Sequence, residues 1–263
     1  MNCKNCKTDL LEDSDYCYSC GGRVIRNRLT MGNLFAHFSE TFFNYDNKFF
    51  QTFINLFKKP EDVIDSYING TRKKYVDVIS YFALAVTITG LYVFVQRKFF
   101  PDIMDYSMYA ANGQEEMQKE WVSILQEYNS IFMMLYVPFY AILARITFLG
   151  LKKYNYTELL VVFMYIQAQL SLTSSVLMIP IMWLNWNVGL ISFAFVGLMI
   201  LYSAFCLKRL YDLNLSNMIL RTLIFLALML VFWFIVGIIM FVVWYLNGNL
   251  DTMIEAQRAA KQT

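Results

Sequence analysis

The chain has 263 residues, of which 58% are apolar or Tyr and only 16% are charged, against ~25% charged in ordinary soluble proteins. That composition excludes a soluble globular protein, and 4 Pro with 11 Gly leave no basis for disordered or collagen-like readings. The net charge of +2 gives no reason to expect a nucleic-acid partner, and the single His, His37, removes chemistries that need several imidazoles.

The first twenty residues hold four of the five Cys, as Cys3-Lys4-Asn5-Cys6 and Cys17-Tyr18-Ser19-Cys20. Two Cys-x-x-Cys turns place four thiolates around one tetrahedral Zn²⁺ and leave no open position for water, which makes the site structural rather than catalytic. Gly21 and Gly22 follow the second turn, whereas Lys7 follows the first where a Gly is often found. A pair of disulfides is the competing reading; a reducing cytoplasmic location favours metal. The metal ligands expected are Cys3, Cys6, Cys17 and Cys20, forming a small zinc ribbon over residues 1–22. Cys206 is expected to be a small packing residue.

Residues 23–75 are amphipathic rather than spanning. Phe35, Phe38, Phe42, Tyr45, Phe49, Phe53 and Leu56 recur at steps of three and four, the stripe of a helix or pair of helices. Pro60-Glu61-Asp62 is a helix start that Gly70 ends. Two placements remain open: helices on the inner membrane surface, with Lys58, Lys59, Arg72, Lys73 and Lys74 facing anionic headgroups, or a cap packed on the spans.

A helix needs ~20 predominantly apolar residues to cross the hydrocarbon. Long uncharged stretches occur at 78–95, 128–144, 159–207 and 222–250. The third would make a helix of roughly 74 Å and must fold back, at Leu184-Asn185-Trp186-Asn187. The count is therefore five spans near 76–96, 129–151, 159–183, 187–207 and 218–246 of a domain over 76–250, followed by an external tail, 251–263. Alternate segments carry fifteen and five Lys/Arg, so the N-terminus is predicted inside and the C-terminus outside. The Cys-rich start has no apolar core of a cleavable signal peptide. Asn112-Gly113 marks a turn in the 97–128 loop, where Met117, Trp121, Ile124 and Tyr128 form a helical stripe.

The third span carries Gln167, Gln169, Ser171, Thr173 and Ser174. Gln167, Ser171 and Ser174 share one face, Gln169 and Thr173 another. Interhelical hydrogen bonding and a substrate cavity are the two readings. Asp77, Arg145, Glu158 and Arg221 fall near the inner span ends, where they suggest a charge cluster. No catalytic set is visible: no Ser-His-Asp grouping, no phosphate-cradling Gly loop, no carboxylate pair in a span.

The order of two Cys-x-x-Cys turns, then Thr52-Phe53-Ile54-Asn55-Leu56-Phe57-Lys58-Lys59-Pro60, then Tyr67-Ile68-Asn69-Gly70-Thr71-Arg72-Lys73-Lys74-Tyr75 before the first span, resembles an uncharacterised bacterial inner-membrane family with an N-terminal zinc ribbon. The resemblance covers most of the first 100 residues, and Tyr67, Gly70, Arg72 and Lys73 keep the second motif. The five-span layout is also distantly similar to Yip-type membrane trafficking proteins, which implies a non-enzymatic role. The expected protein is an all-α integral membrane scaffold or adaptor that meets the lipid bilayer and a cytoplasmic protein partner. A small-molecule or lipid transporter using the third-span patch is the alternative, and a lipid-modifying enzyme the third reading.

Overall fold

The computed structural model describes residues 1–24, 26, 30–32, 48–101, 122–151, 153–184, 186 and 188–246. The expected stripe at Phe35, Phe38, Phe42 and Tyr45, His37, the Asn112-Gly113 turn, Met117, Trp121 and the tail 251–263 lie outside the described residues. The chain divides into two units, Met1–Asn47 and Lys48–Thr263.

In the first unit no strand forms among the described residues; two isolated bridges, Asn2 with Asp9 and Tyr16 with Arg23, close two turns of the same design. Among its described residues, Cys3, Leu10 and Cys17 are the buried apolar groups, with Val24 packed against them.

The second unit is helical, and its order is α1 (Lys48–Lys58), α2 (Pro60–Ile68), α3 (Val78–Phe99), α4 (Asn129–Thr147), α5 (Tyr156–Trp183), α6 (Val188–Tyr211) and α7 (Leu215–Leu246). Five helices are long and apolar enough to cross a membrane, within α3 to α7. Their starts are written in local chemistry. The Asp77 carboxylate accepts from the Ser80 amide at 3.0 Å and caps α3. Asn155 and Glu158 form a reciprocal capping box that starts α5 three residues before the expected Leu159. The fold-back lies between Trp183 and Val188.

The long α5 is the axis of the bundle. Its 28 residues, about 42 Å at 1.5 Å per residue, exceed the hydrocarbon thickness, and residues from Leu159 to Met182 are buried along it. It packs against α3, α4 and α6, while α7 leans on α4 and α6 at the periphery. The hairpin α1–α2 packs on α5 and α6. Leu56, Val63 and Ile64 are fully buried there, in one core with Tyr81, Tyr165 and Leu210. The opposite side of α1 presents Phe50, Ile54 and Phe57, each exposed. A helix with apolar groups on both faces satisfies one against protein and offers the other to hydrocarbon. The hairpin thus packs on the spans and keeps an exposed apolar face on α1.

Candidate functional site

The two Cys turns repeat each other at an offset of fourteen residues. Lys7 N donates to Cys3 O at 2.9 Å and Gly21 N to Cys17 O at 2.8 Å; Cys3 N donates to Thr8 O and Cys17 N to Gly22 O, both at 2.9 Å. Each turn needs a left-handed residue after its second Cys. Gly21 supplies it at φ +68° without cost, and Lys7 adopts φ 63° despite its side chain.

This repetition brings four sulfurs together. The Sγ atoms of Cys3, Cys6, Cys17 and Cys20 all lie within 4.8 Å of one another. Cys3 and Cys20 are 3.6 Å apart, Cys6 and Cys17 3.5 Å. A disulfide needs about 2.05 Å. A metal bound tetrahedrally by four thiolates at about 2.3 Å sets its sulfurs roughly 3.8 Å apart, so the donor set and its spacing fit a metal ion. The Thr8 hydroxyl, 3.2 Å from Cys6 Sγ, and the Thr8 amide stabilise the thiolate and hold the Cys6 thiol at about 6. Arg26 closes the intervening loop by donating to Glu12 O at 2.7 Å and Ser14 O at 2.8 Å.

In the bundle, the polar residues of α5 separate by face. Gln169 is fully buried, accepts the Tyr81 hydroxyl at Oε1 and donates from Nε2 to Phe53 O at 3.0 Å. The Thr173 hydroxyl donates to Gln169 O at 2.7 Å, and the Ser174 hydroxyl to Ser171 O at 3.1 Å. Ser175, fully packed, meets Thr89 of α3 at 3.2 Å. Gln167, on the other face, lines a cavity of about 430 Å³ between α5, α6 and α7.

The hairpin is fastened by hydroxyls that the sequence did not single out. Thr52 donates to Lys48 O at 2.6 Å and receives the Val76 amide at 3.0 Å. Tyr165 donates to Val76 O at 2.8 Å, and Tyr202 to Leu56 O at 3.0 Å. The Tyr154 hydroxyl lies 2.7 Å from Asp65 Oδ1 and 3.1 Å from Leu210 O. The available signal was chemical: a buried Tyr in an apolar helix needs a partner for its O–H.

The basic residues play unlike parts. Lys58 and Lys59, at the hairpin tip, are exposed. Arg72 folds over the Tyr67 ring at 5.2 Å, and Tyr67 packs edge-on to Tyr165. Gly70 at φ +90° makes this reversal, with Gly70 N on Tyr67 O at 3.2 Å and Thr71 N on Ser66 O at 2.8 Å, the bonding of a Schellman cap. Lys73 is exposed, while Lys74 pairs with Asp62 at 2.7 Å beside the Tyr75 hydroxyl at 2.5 Å. These two donors hold the Asp62 carboxyl below its ordinary range, Lys74 contributing most.

Each of the four charges expected near the inner span ends bonds a backbone group. Asp77 and Glu158 cap helices, Arg145 donates to Tyr154 O at 2.8 Å, and Arg221 donates to Thr147 O at 2.6 Å. Among the described residues, Glu61 of α2 pairs with Arg209 of α6, and Asp65 of α2 with Lys153 at 4.0 Å.

Residues 46–90 match a family described as Protein of unknown function (DUF3667). The matched stretch is the hairpin, the Tyr67–Lys73 turn and the first half of α3; the Cys cluster lies outside it. No curated protein and no solved structure matches the chain.

Proposed function

We propose that this protein is a non-enzymatic integral-membrane scaffold or adaptor whose N-terminal ribbon, held by Zn²⁺ on Cys3, Cys6, Cys17 and Cys20, faces the cytoplasm and recruits a protein partner. One observation carries the reading: a four-Cys cluster built for metal forms a unit of its own, apart from the helical bundle. Its residues are mostly exposed, so a metal that fixes their backbone presents a fixed surface at the cost of almost no core. The excess of Lys/Arg on the N-terminal side supports a cytoplasmic ribbon, and the resemblance of the first 100 residues supports a bacterial inner membrane. The distant topological similarity to Yip-type proteins points the same way.

Hydrogen bonds internal to the bundle occupy Gln169, Thr173 and Ser174, which favours this reading over a transporter built on that patch. The test compares the full chain with a form lacking residues 1–24 and with the four Cys replaced by Ser. Crosslinking pull-down should lose the same partner in both altered forms while membrane insertion persists. Unchanged recovery of that partner would refute the proposal.

A further inference from the structure

The cavity of about 430 Å³ beside α5 is of ligand size, and its wall is almost wholly apolar, with Phe163, Phe225 and Trp233 prominent. It extends along α7 from Thr222 to Trp233, eleven rises or about 17 Å. That is close to half of the ~30 Å hydrocarbon core, the depth of one leaflet.

At the Thr222 end a small second pocket shares part of the cavity's wall. Ala204, Leu207, Thr222 and Phe225 line both, and the small pocket adds Lys208 and Arg221. No Asp or Glu lines either one among the described residues. Arg221 spends one N–H on Thr147 O and stacks its guanidinium over Phe148 at 5.1 Å, without a carboxylate partner among the described residues. Lys208 is half-buried and makes no ion pair or hydrogen bond through its side chain to a described residue. Its neighbour Arg209, by contrast, pairs with Glu61 of the hairpin, which places the basic pocket at the hairpin end of the bundle. Two cations that make no ion pair among the described residues, beside a leaflet-deep apolar slot, match the charge and the shape of one class of molecule.

We propose that this cavity binds one anionic glycerophospholipid, an acyl chain lying along α7 and the phosphate against Lys208 and Arg221. Gln167 and Ser203 on the cavity wall offer hydrogen bonds to the ester region. The site is independent of the ribbon and of any partner it recruits.

The full chain, delipidated in detergent, is titrated in native mass spectrometry with dioleoyl phosphatidylglycerol, dioleoyl phosphatidylcholine or glycerol 3-phosphate. One phosphatidylglycerol per chain should be retained in preference to phosphatidylcholine, with no binding of the chainless phosphate. Lys208→Gln should weaken phosphatidylglycerol about fivefold, and the pair with Arg221→Gln about 25-fold, leaving phosphatidylcholine unchanged. Lys208→Arg should retain affinity. Ala204→Phe, in the wall that the two spaces share, should abolish retention. Because the Lys208 side chain bonds to no described residue, its variant tests the site without disturbing the fold, which thermal unfolding verifies. Equal retention of the two lipids, undiminished phosphatidylglycerol binding in Lys208→Gln, or binding of glycerol 3-phosphate as tight as the lipid would each overturn the proposal.

Discussion

The carbonyl oxygen of Leu56 accepts the hydroxyl of Tyr202 at 3.0 Å because the residue four positions along, Pro60, has no N–H to give it. Leu56 is fully buried, so without Tyr202 that oxygen has neither a helix donor nor water. The break that lets α1 turn into α2 therefore creates the acceptor by which α6 holds the hairpin.

Removing the donor alone exposes that dependence. Tyr202→Phe keeps the ring against Phe57 and leaves the carbonyl unsatisfied, at a cost of about 1–3 kcal/mol. Hydrogen exchange on the full chain should accelerate in 48–68 and remain near wild type in α3 and α5. Uniform acceleration would mean that the hairpin and the bundle open together.

The two glutamines of α5 make a paired comparison. Gln169→Leu strands the Tyr81 hydroxyl and removes the second donor to Phe53 O, and should lower stability by about 1–3 kcal/mol. Gln167→Leu adds apolar surface to an apolar wall and should leave the melting temperature within a degree or so, since its effect falls within the ~0.5 kcal/mol of ordinary surface changes. Equal losses in thermal unfolding would show that the two faces of α5 are not distinct.

For the ribbon, one metal ion per chain is expected by elemental analysis. Chelation should unfold residues 1–24 and leave the helical signal of the bundle intact. Lys7→Gly should stabilise the metal-bound ribbon by about 1 kcal/mol, because it relieves a left-handed Lys in the turn that Gly21 makes freely. A destabilised ribbon in that variant would show that Lys7 contributes more through its side chain than its backbone costs.

Acid should loosen the junction of α2 and α3 at a defined step. The Asp62 carboxyl is depressed in the folded protein by Lys74 and Tyr75, so its contribution is complete above the ordinary carboxylate value near 4 and is lost as pH falls through the folded value. Lys74 is raised by Asp62, so its share is complete below the ordinary lysine value and is lost as pH rises through the folded one. Asp62→Asn should flatten the acid side of a melting-temperature profile. An identical acid limb in both proteins would assign that loss to other carboxylates.

The spans were legible because each is a local property: an uncharged run of sufficient length, bounded by charge, needs no partner to be recognised. The four Cys were legible for a similar reason, since the ligand spacing lies within twenty residues. The fastening of the hairpin was not. Gln169 and Phe53 are 116 positions apart, and Tyr81 and Gln169 88, so nothing in either neighbourhood names the other. The sequence did separate Gln169 from Gln167, because residues two apart point nearly opposite ways on a helix. It also grouped Asp77, Arg145, Glu158 and Arg221 by depth, but depth does not reveal which helix end or loop carbonyl each of them bonds.

The distance in sequence between Leu56 and Tyr202 also sets an order of assembly. The chain must add 146 further residues after Leu56 before its acceptor meets its donor. At ~5–20 residues per second that interval is roughly 7–30 s. Throughout it the Leu56 oxygen lacks the donor that Tyr202 supplies in the folded protein. The hairpin therefore cannot be fastened through this bond until α6 has been made, while α7 is made later still.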